Sequence, residues 1–400
     1  ASFKSASYAH EASQQEKAVG RAGLFPNLSL SSRIGKLDNL DKKQSAQSDA
    51  LNSDSTAITL SQPLYDRNAW ASFQQGKARQ RLGKAQYIAA EQDLFERIVD
   101  TYFTAARTEN DLRLNEQQRL SIEALARQSR RLYGAGEGAV TDIDEAQARL
   151  DLIRADEIAL KASWQTTMRK LSGQVGGQVD EILSMHEELP ANNLLPSDQD
   201  LVFWTLNAEQ TSPMLAGKSA TVQVAETSAY AARSGHFPSL SLASQVAKTE
   251  QSAGDQSSTQ STYYVGVVFN LPLYGGGGVS ASSKRADASL NSARSDYDAG
   301  WQALAEDIEK QYLGVSSGQE RAKAMQAAVR SAQRAMESAQ KGYQAGTRTT
   351  TDILDAQQRL FTAKRDLLGS KLAMLESFVL LHTRSGQMNR KVLKQVQDLY

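Results

Sequence analysis

"YGAGEGAVTDIDEAQARL", residues 133–150, and "YQAGTRTTTDILDAQQRL", residues 343–360, are one phrase written twice. Ten of the eighteen positions are identical at an offset of 210 residues. Each copy holds Tyr-x-Ala-Gly, a short polar run, and then Thr-Asp-Ile. A glycine after a helical run suits the C′ position, where left-handed geometry stops the helix. Thr141 and Thr351 are placed to cap a following helix. Asp142 and Asp352 then fall in its first turn, where a carboxylate meets the positive end of the dipole. The phrase reads as the tip of an antiparallel helical hairpin, and the chain has two.

The duplication extends outward from the tips. "LFPNLSL" at 24–30 returns as "HFPSLSL" at 236–242, "PLYD" at 63–66 as "PLYG" at 272–275, and "LSGQ" at 171–174 as "RSGQ" at 384–387. The landmarks keep their order, so residues 1–212 and 213–400 read as two structural repeats. Each repeat runs helix, β-hairpin, long helical hairpin, linker.

Within each repeat the periodicity changes as that order requires. Short helical pieces, Phe3–Leu24 and Leu215–His236, end at a proline. Leu28, Leu30 and Ile34, like Leu240, Leu242 and Val246, then alternate with polar residues, which is the strand signal. The polar stretches 36–55 and 248–261 read as long solvated loops. Return strands follow at Ile58 and Leu60, and at Tyr263, Val265, Val267, Phe269 and Leu271. The helices after them, Asn68–Leu132 and Val279–Gly342, contain no proline. At ~1.5 Å per residue, about 65 helical residues reach roughly 100 Å. Beyond each tip the apolar spacing is 3-4: Ile143, Ala146, Leu150, Ile153, Glu157, Leu160, Trp164, and Ile353, Ala356, Leu360, Ala363, Leu367, Ser370, Met374. That is coiled-coil spacing, with Glu157 as a polar interruption.

Composition excludes several classes of function. The 400 residues carry 45 basic and 45 acidic side chains, so there is no basic footprint for nucleic acid. There is no cysteine, hence no disulfide, thiolate metal site or cysteine nucleophile. The opening "ASFKSASYAHEASQQ" lacks the basic and apolar regions of a signal peptide. No run of 18 apolar residues occurs, so no single helix crosses a bilayer. His10, His186, His236 and His382 have no ligand spacing and read as surface or interface residues. "YGGGGVSASSK" lacks phosphate-loop spacing and reads as a swivel from strand to helix. Trp70, Trp164, Trp204 and Trp301 read as packing residues. No nucleophile–base pair, cofactor or metal is called for, and the chain reads as a non-enzyme.

Four strands do not close a membrane barrel, which needs about eight or more. Two chains give eight and three give twelve, so the barrel is expected to be shared between subunits. The alanine stripe Ala324, Ala328, Ala332, Ala335 and Ala339 permits the close helix neighbours this needs.

The paired "FPxLSL" entries, the "PLY" exits, "LYGGGG" and above all "YQAGTRTTTDILDAQQRL" resemble the TolC family of outer-membrane export channels over essentially all of the chain. Within it the text looks most like outer-membrane subunits of type I, protease-secretion systems. The resemblance implies a mixed α/β membrane protein: a homotrimer whose long coiled-coil hairpins form an α-helical tunnel and whose four strands per chain build a 12-strand β-barrel. It places that trimer in the outer membrane of a Gram-negative bacterium, reaching into the periplasm. Its partners are outer-membrane lipid, a periplasmic adaptor protein and an inner-membrane ABC transporter. The β-barrel part then falls at about 26–64 and 238–273, and an equatorial part at about 172–214 and 386–400.

The same resemblance assigns the tips. Asp352 and Asp355 match acidic gate rings; Tyr343 and Arg348 match restraining donors, with Thr141 and Asp142 as their acceptors. The sequence departs from the family pattern in also having Asp144 and Glu145, which make the first hairpin more acidic and are candidates for an extra acidic ring. Gly136, Gly346 and Thr347 match adaptor-docking grooves. Two other functions fit parts of the text: the outer-membrane channel of a multidrug efflux pump, and a soluble coiled-coil scaffold or adaptor. An adaptor normally has one hairpin, whereas this chain has two. Finally, Ser197 and Asp200 look like the cap of a short helix before residue 213. Repeat logic therefore expects a further short helix ahead of Ala1 in the mature protein.

Overall fold

The computed structural model describes residues 2–37, 51–182, 194–195, 199–253 and 256–397. The elements run α1 (Ser2–Ala22), β1 (Asn27–Leu37), β2 (Leu51–Asp66), α2 (Arg67–Gly134), α3 (Val140–Val175), α4 (Leu201–Thr211), α5 (Pro213–Ser234), β3 (Ser239–Ala253), β4 (Gln256–Asn270), α6 (Gly278–Gln344), α7 (Thr350–Arg384) and α8 (Arg390–Gln397). The chain divides into two compact units, residues 1–89 with 214–300 and residues 90–213 with 301–400.

The first unit contains an antiparallel sheet in the order β1-β2-β3-β4. Directly paired residues share a face. The register Leu30↔Ile58↔Val246↔Tyr263 and the neighbouring Leu28↔Leu60 and Leu242↔Val267 therefore collect the apolar side chains on one face. The other face takes Ser29, Thr59, Gln245 and Tyr264 from the row Ser29↔Thr59↔Gln245↔Tyr264. The apolar face is not covered: Leu28 is 69% exposed, Ile34 81% and Tyr263 74%. A period of two thus builds a sheet that is apolar toward its surroundings, without a core behind it.

The polar stretch 248–261 is not the loop its composition suggested. Lys248↔Ser261 through Ser252↔Ser257 continue the β3–β4 ladder, with only residues 254–255 outside the described part. Ladder hydrogen bonds are made by the backbone, and Thr249, Thr259 and Thr262 favour the extended chain. Polarity alone cannot tell a solvated strand from a solvated loop. In the first repeat β1 reaches Leu37 and β2 begins at Leu51, so 51–55 are also strand; residues 38–50 lie outside the described part.

Helices flank the sheet at the end where β1 and β3 begin and β2 and β4 finish. α1 and α2 approach backbone to backbone: a Cβ at Gly20 would stand 2.5 Å from the Ser72 carbonyl oxygen, and one at Gly76 2.4 Å from that of Glu16. Gly276 and Gly277 (φ +61° and +78°) make the swivel from β4 into α6. Trp70 is half exposed, at 48%, and not a core packing residue; its ring lies 5.6 Å from that of Phe73.

The second unit is helical. Val99, Phe103, Val315, Leu372, Leu375, Phe378 and Val379 form its main cluster. Ile122, Leu125, Leu150, Ile153, Ala339, Ile353 and Leu354 form another nearer the tips. The coiled-coil reading places Leu150, Ile153, Leu360, Leu367 and Met374 correctly, all buried. Glu157 is neutralised by Lys161 (2.5 Å) and Arg119 (3.4 Å), and the Lys161 hydrogen bond holds its carboxyl below the usual range. At the far end of α7, Arg384 bridges Glu96 of α2 and Asp307 of α6. α4 is capped by Asp200, which accepts from the Phe203 amide; Ser197 lies outside the described residues. Its Trp204, fully buried, meets the His382 ring at 4.8 Å. His382 is thus a core residue rather than a surface one, and burial pushes its pKa down. His186 lies outside the described residues.

Candidate functional site

The two hairpin tips are built on the same backbone device. In the first, the Gly136 amide donates to the Tyr133 carbonyl (3.0 Å) and that of Glu137 to the Leu132 carbonyl (2.9 Å). In the second, Gly346 donates to Tyr343 (3.0 Å) and Thr347 to Gly342 (2.8 Å). This pair of bonds around a left-handed glycine is the Schellman stop. Gly136 and Gly346 have φ of +78° and +71°, and open space lies where their Cβ would be.

The caps sit two residues earlier than the sequence suggested. After each glycine the chain needs further residues to turn, so the extended cap residue is Ala139 in the first tip and Thr349 in the second. Thr141 and Thr351 lie inside the helices. Thr349 forms a full capping box: its hydroxyl accepts from the Asp352 amide (3.2 Å), and Asp352 Oδ2 accepts from the Thr349 amide (2.8 Å). Ala139 has no side chain to do this.

The box fixes the character of Asp352. Its Oδ2 also accepts from the Thr349 hydroxyl (3.0 Å), and Arg348 stands 3.5 Å from Oδ1. The Thr349 amide, then its hydroxyl, then the Arg348 charge hold this carboxyl below its usual value. Asp355, one turn on, is the freer group, 58% exposed with Arg149 at 4.0 Å. Within one chain Arg348 is brought to Asp352, not to Thr141 or Asp142. At the tips a link between the hairpins is instead made by Thr351, whose hydroxyl donates to Glu145 Oε2 at 2.5 Å. Thr141, Asp144 and Glu145 are exposed and Asp142 half-buried. Tyr343 packs against the Ile122–Ile353 cluster, and Thr347 donates back to Gly342 (3.1 Å).

Sequence reasoning missed the cross-hairpin pairs Thr351–Glu145 and Arg149–Asp355. The repeat held the signal: Glu145 and Asp355 are equivalent positions, and each meets a residue of the opposite hairpin. It also missed Arg67, which begins α2 and lies over the Phe237 ring at 3.7 Å. The second repeat has glycine there and gave no parallel.

A two-fold repeated chain that pairs an uncovered amphipathic sheet with two long helical hairpins defines a class of membrane protein that completes its sheet by assembly. The outer membrane efflux protein family model matches residues 1–177 and 204–387, and the chain belongs to that family. It is 28% identical to the proteases secretion protein PrtF of Dickeya chrysanthemi, over 99% of this chain and 87% of that one. It is 26% identical to the alkaline protease secretion protein AprF of Pseudomonas aeruginosa, over 98% and 83%. Among solved structures, the outer membrane protein VceC of Vibrio cholerae superposes with a TM-score of 0.82 at 17% identity, covering 97% of this chain and 93% of that one.

Proposed function

We propose that the protein is the outer-membrane channel of a type I secretion system, a trimer that passes unfolded protein cargo across the periplasm and the outer membrane. The observation that carries this is the sheet. Its apolar face is exposed, and its edge strands β1 and β4 have no further partner among the described residues. An exposed hydrophobic sheet with open edges is unstable in water and is completed by closure in a bilayer. Three chains supply twelve strands. The outward apolar positions Tyr263, Val265, Val267 and Phe269 of β4, with Leu271 just beyond it, span nine residues, at the low end of the about 9–11 that a tilted membrane strand needs. Of the alanine stripe on α6, Ala324, Ala328 and Ala335 are exposed and leave room for a neighbouring helix, whereas Ala332 is half-buried and Ala339 is buried in the chain's own Ile122–Ile353 cluster. The protease-secretion names of two relatives favour protein cargo, and an adaptor and an ABC transporter are the partners that the type I reading brings with it.

The tips serve as the gate in this reading. Asp355 and Asp352 contribute carboxylates to rings about the axis, and Asp144 and Glu145 add to them. Arg348 and Tyr343 restrain the closed state, with Thr141 and Asp142 of an adjacent hairpin as acceptors. Gly136, Gly346 and Thr347 offer the open surface on which an adaptor hairpin docks.

Mass measurement in detergent is expected to give three chains; a stable monomer with a full β signal overturns the assembly. In planar bilayers, Arg348→Ser with Tyr343→Phe is expected to raise single-channel conductance. Asp352→Ala with Asp355→Ala is expected to weaken block by multivalent cations on the periplasmic side. Unchanged conductance and block leave these residues as tip-packing groups. Pull-down from intact membranes decides the pump: an ABC transporter with its adaptor supports secretion, and a drug exporter in their place supports efflux.

A further inference from the structure

The geometry points to a binding seam for anionic phospholipid headgroups, formed by Arg67 and Arg21 where the sheet gives way to helices. The inference rests on the reading that the sheet lies in a membrane. The register Asp66↔Ser239↔Asn270 places the end of β2, the start of β3 and the end of β4 at one level, and β1 starts at the same end of the sheet. Tyr65 shares the apolar face with Leu240, so that face runs to within two residues of Arg67.

Two guanidinium groups at this end of the sheet, where the end of α1 meets the start of α2 with Gly23 beside Ala69, are clamped on aromatic rings instead of on carboxylates. Arg67 lies over Phe237 at 3.7 Å and over Tyr230 at 4.8 Å; Arg21 lies over Phe25 at 4.6 Å. The repeat shows that this is a substitution of one arginine for another. Phe25 and Phe237 are equivalent, as are Arg21 and Arg233. Arg233, however, is drawn to Asp287 at 2.6 Å, and Arg67 takes its place on the Phe237 ring. Among the described residues no carboxylate lies within ion-pairing distance of Arg67 or Arg21. The Arg67 Nε is buried without a hydrogen-bond acceptor. The one acid beside it, Asp66, is occupied by the amides of Asn68 (2.8 Å) and Ala69 (3.2 Å).

A ring face fixes a guanidinium and removes part of its hydration while leaving its charge unneutralised. A planar fork in that state selects phosphate oxygens. The surroundings choose the source of the phosphate. Phe25, Leu64, Tyr65, Trp70, Phe237, Leu273 and Tyr274 are all exposed large apolar or aromatic residues at this level. Such a rim suits the boundary between acyl chains and headgroups, where a lipid phosphate is anchored by its own tails. A free phosphate ion gains nothing from it.

The test uses the assembled protein in bilayers of phosphatidylcholine with phosphatidylglycerol, extracted and weighed by native mass spectrometry with its retained lipids. Glycerol phosphate is the soluble comparison. The wild type is expected to retain phosphatidylglycerol over phosphatidylcholine by about fivefold for each arginine. Arg67→Gln and Arg21→Gln are each expected to remove about one such factor, and Arg67→Lys to keep most of it. Equal retention of the two lipids by the wild type overturns the inference, whatever the variants do. So does an unchanged preference in the double Gln variant. Competition by glycerol phosphate at the same concentration as lipid reduces the seam to a phosphate site and also overturns it. Protein that inserts and conducts without a lipid preference refutes this seam alone; protein that never inserts refutes the membrane reading with it.

Discussion

At Gly136 and Gly346 the two hairpins turn through the same pair of backbone hydrogen bonds, but the side chains around the turns are exchanged. The first tip has Leu132 before the turn and Gly138 after it; the second has Gly342 before and Arg348 after. These pairs touch. A Cβ on Gly138 would stand 3.1 Å from the Leu132 Cβ, and one on Gly342 2.5 Å from the Arg348 Cγ. One contact is filled from opposite sides in the two copies. The arginine that marks the second tip is therefore accommodated by a glycine six residues earlier, and could not simply be added to the first. The caps differ in the same sense: Thr349 with Asp352 against Ala139 with none. Tyr343 is packed where Tyr133 is exposed. The two copies share the turn, and only the second carries the capping box and the arginine.

The largest test of this difference lies beneath the tips. Ile353 is buried and its equivalent Ile143 is half-buried. Ile353→Ala is expected to cost about 2–4 kcal/mol in urea unfolding followed by helical signal. Ile143→Ala is expected to cost less than half as much. Equal losses break the claim that the second hairpin is the better anchored one.

The size exchange comes next. Gly138→Arg alone is expected to destabilise by about 1–3 kcal/mol, because its Cβ meets Leu132 and the Tyr133 amide. Adding Leu132→Gly rebuilds the pattern of the second tip and is expected to recover most of that loss. The reciprocal pair, Gly342→Leu with Arg348→Gly, is expected to behave likewise. A double-mutant cycle that shows simple additivity separates the two positions and defeats the exchange.

The caps give a smaller effect. Thr349→Ala removes the hydroxyl from the capping box and is expected to cost about 1 kcal/mol. Ala139→Thr supplies one to the first tip, where Asp142 already occupies the matching position, and is expected to stabilise by about 0.5–1 kcal/mol. A neutral Ala139→Thr shows that the first tip cannot adopt the box even with the right residues.

Much of this was legible in the sequence, and the reasons are local. The turn could be read because Gly136 and Gly346 answer to backbone sterics, which act within a few residues. The helices could be read because Ile353, Leu360 and Leu367 recur at a seven-residue spacing that keeps one face of a helix apolar. Residues 248–261 were misread because serine, threonine and glutamine serve a loop and a solvated ladder equally well. The caps were misplaced because Thr141 and Thr351 match a cap in type, and only the course of the chain after the glycine shows that Ala139 and Thr349 hold the position. The Thr351–Glu145 bond depends on how two hairpins lie together, which no window along one of them contains.

The least effect is expected from acid, and it bears on what Asp352 is for. The Thr349 amide and hydroxyl and then Arg348 hold its carboxyl below the usual value of 3.8. A folded-state value lower than the unfolded one makes a contribution that is complete above the unfolded pKa and lost as pH falls through the folded one. The tip is therefore expected to be insensitive to pH near neutrality and to loosen only under strongly acid conditions, below about pH 4. Limited proteolysis of the tip from about pH 7 to pH 2 measures this, with an acid-active protease at the low end. Asp352→Asn is expected to abolish the acid step, and Thr349→Ala to move it to higher pH, since the hydroxyl is lost while the amide remains. If Asp352→Asn keeps the step unchanged, another carboxylate carries it. The Asp352 box would then differ from the first tip in geometry alone.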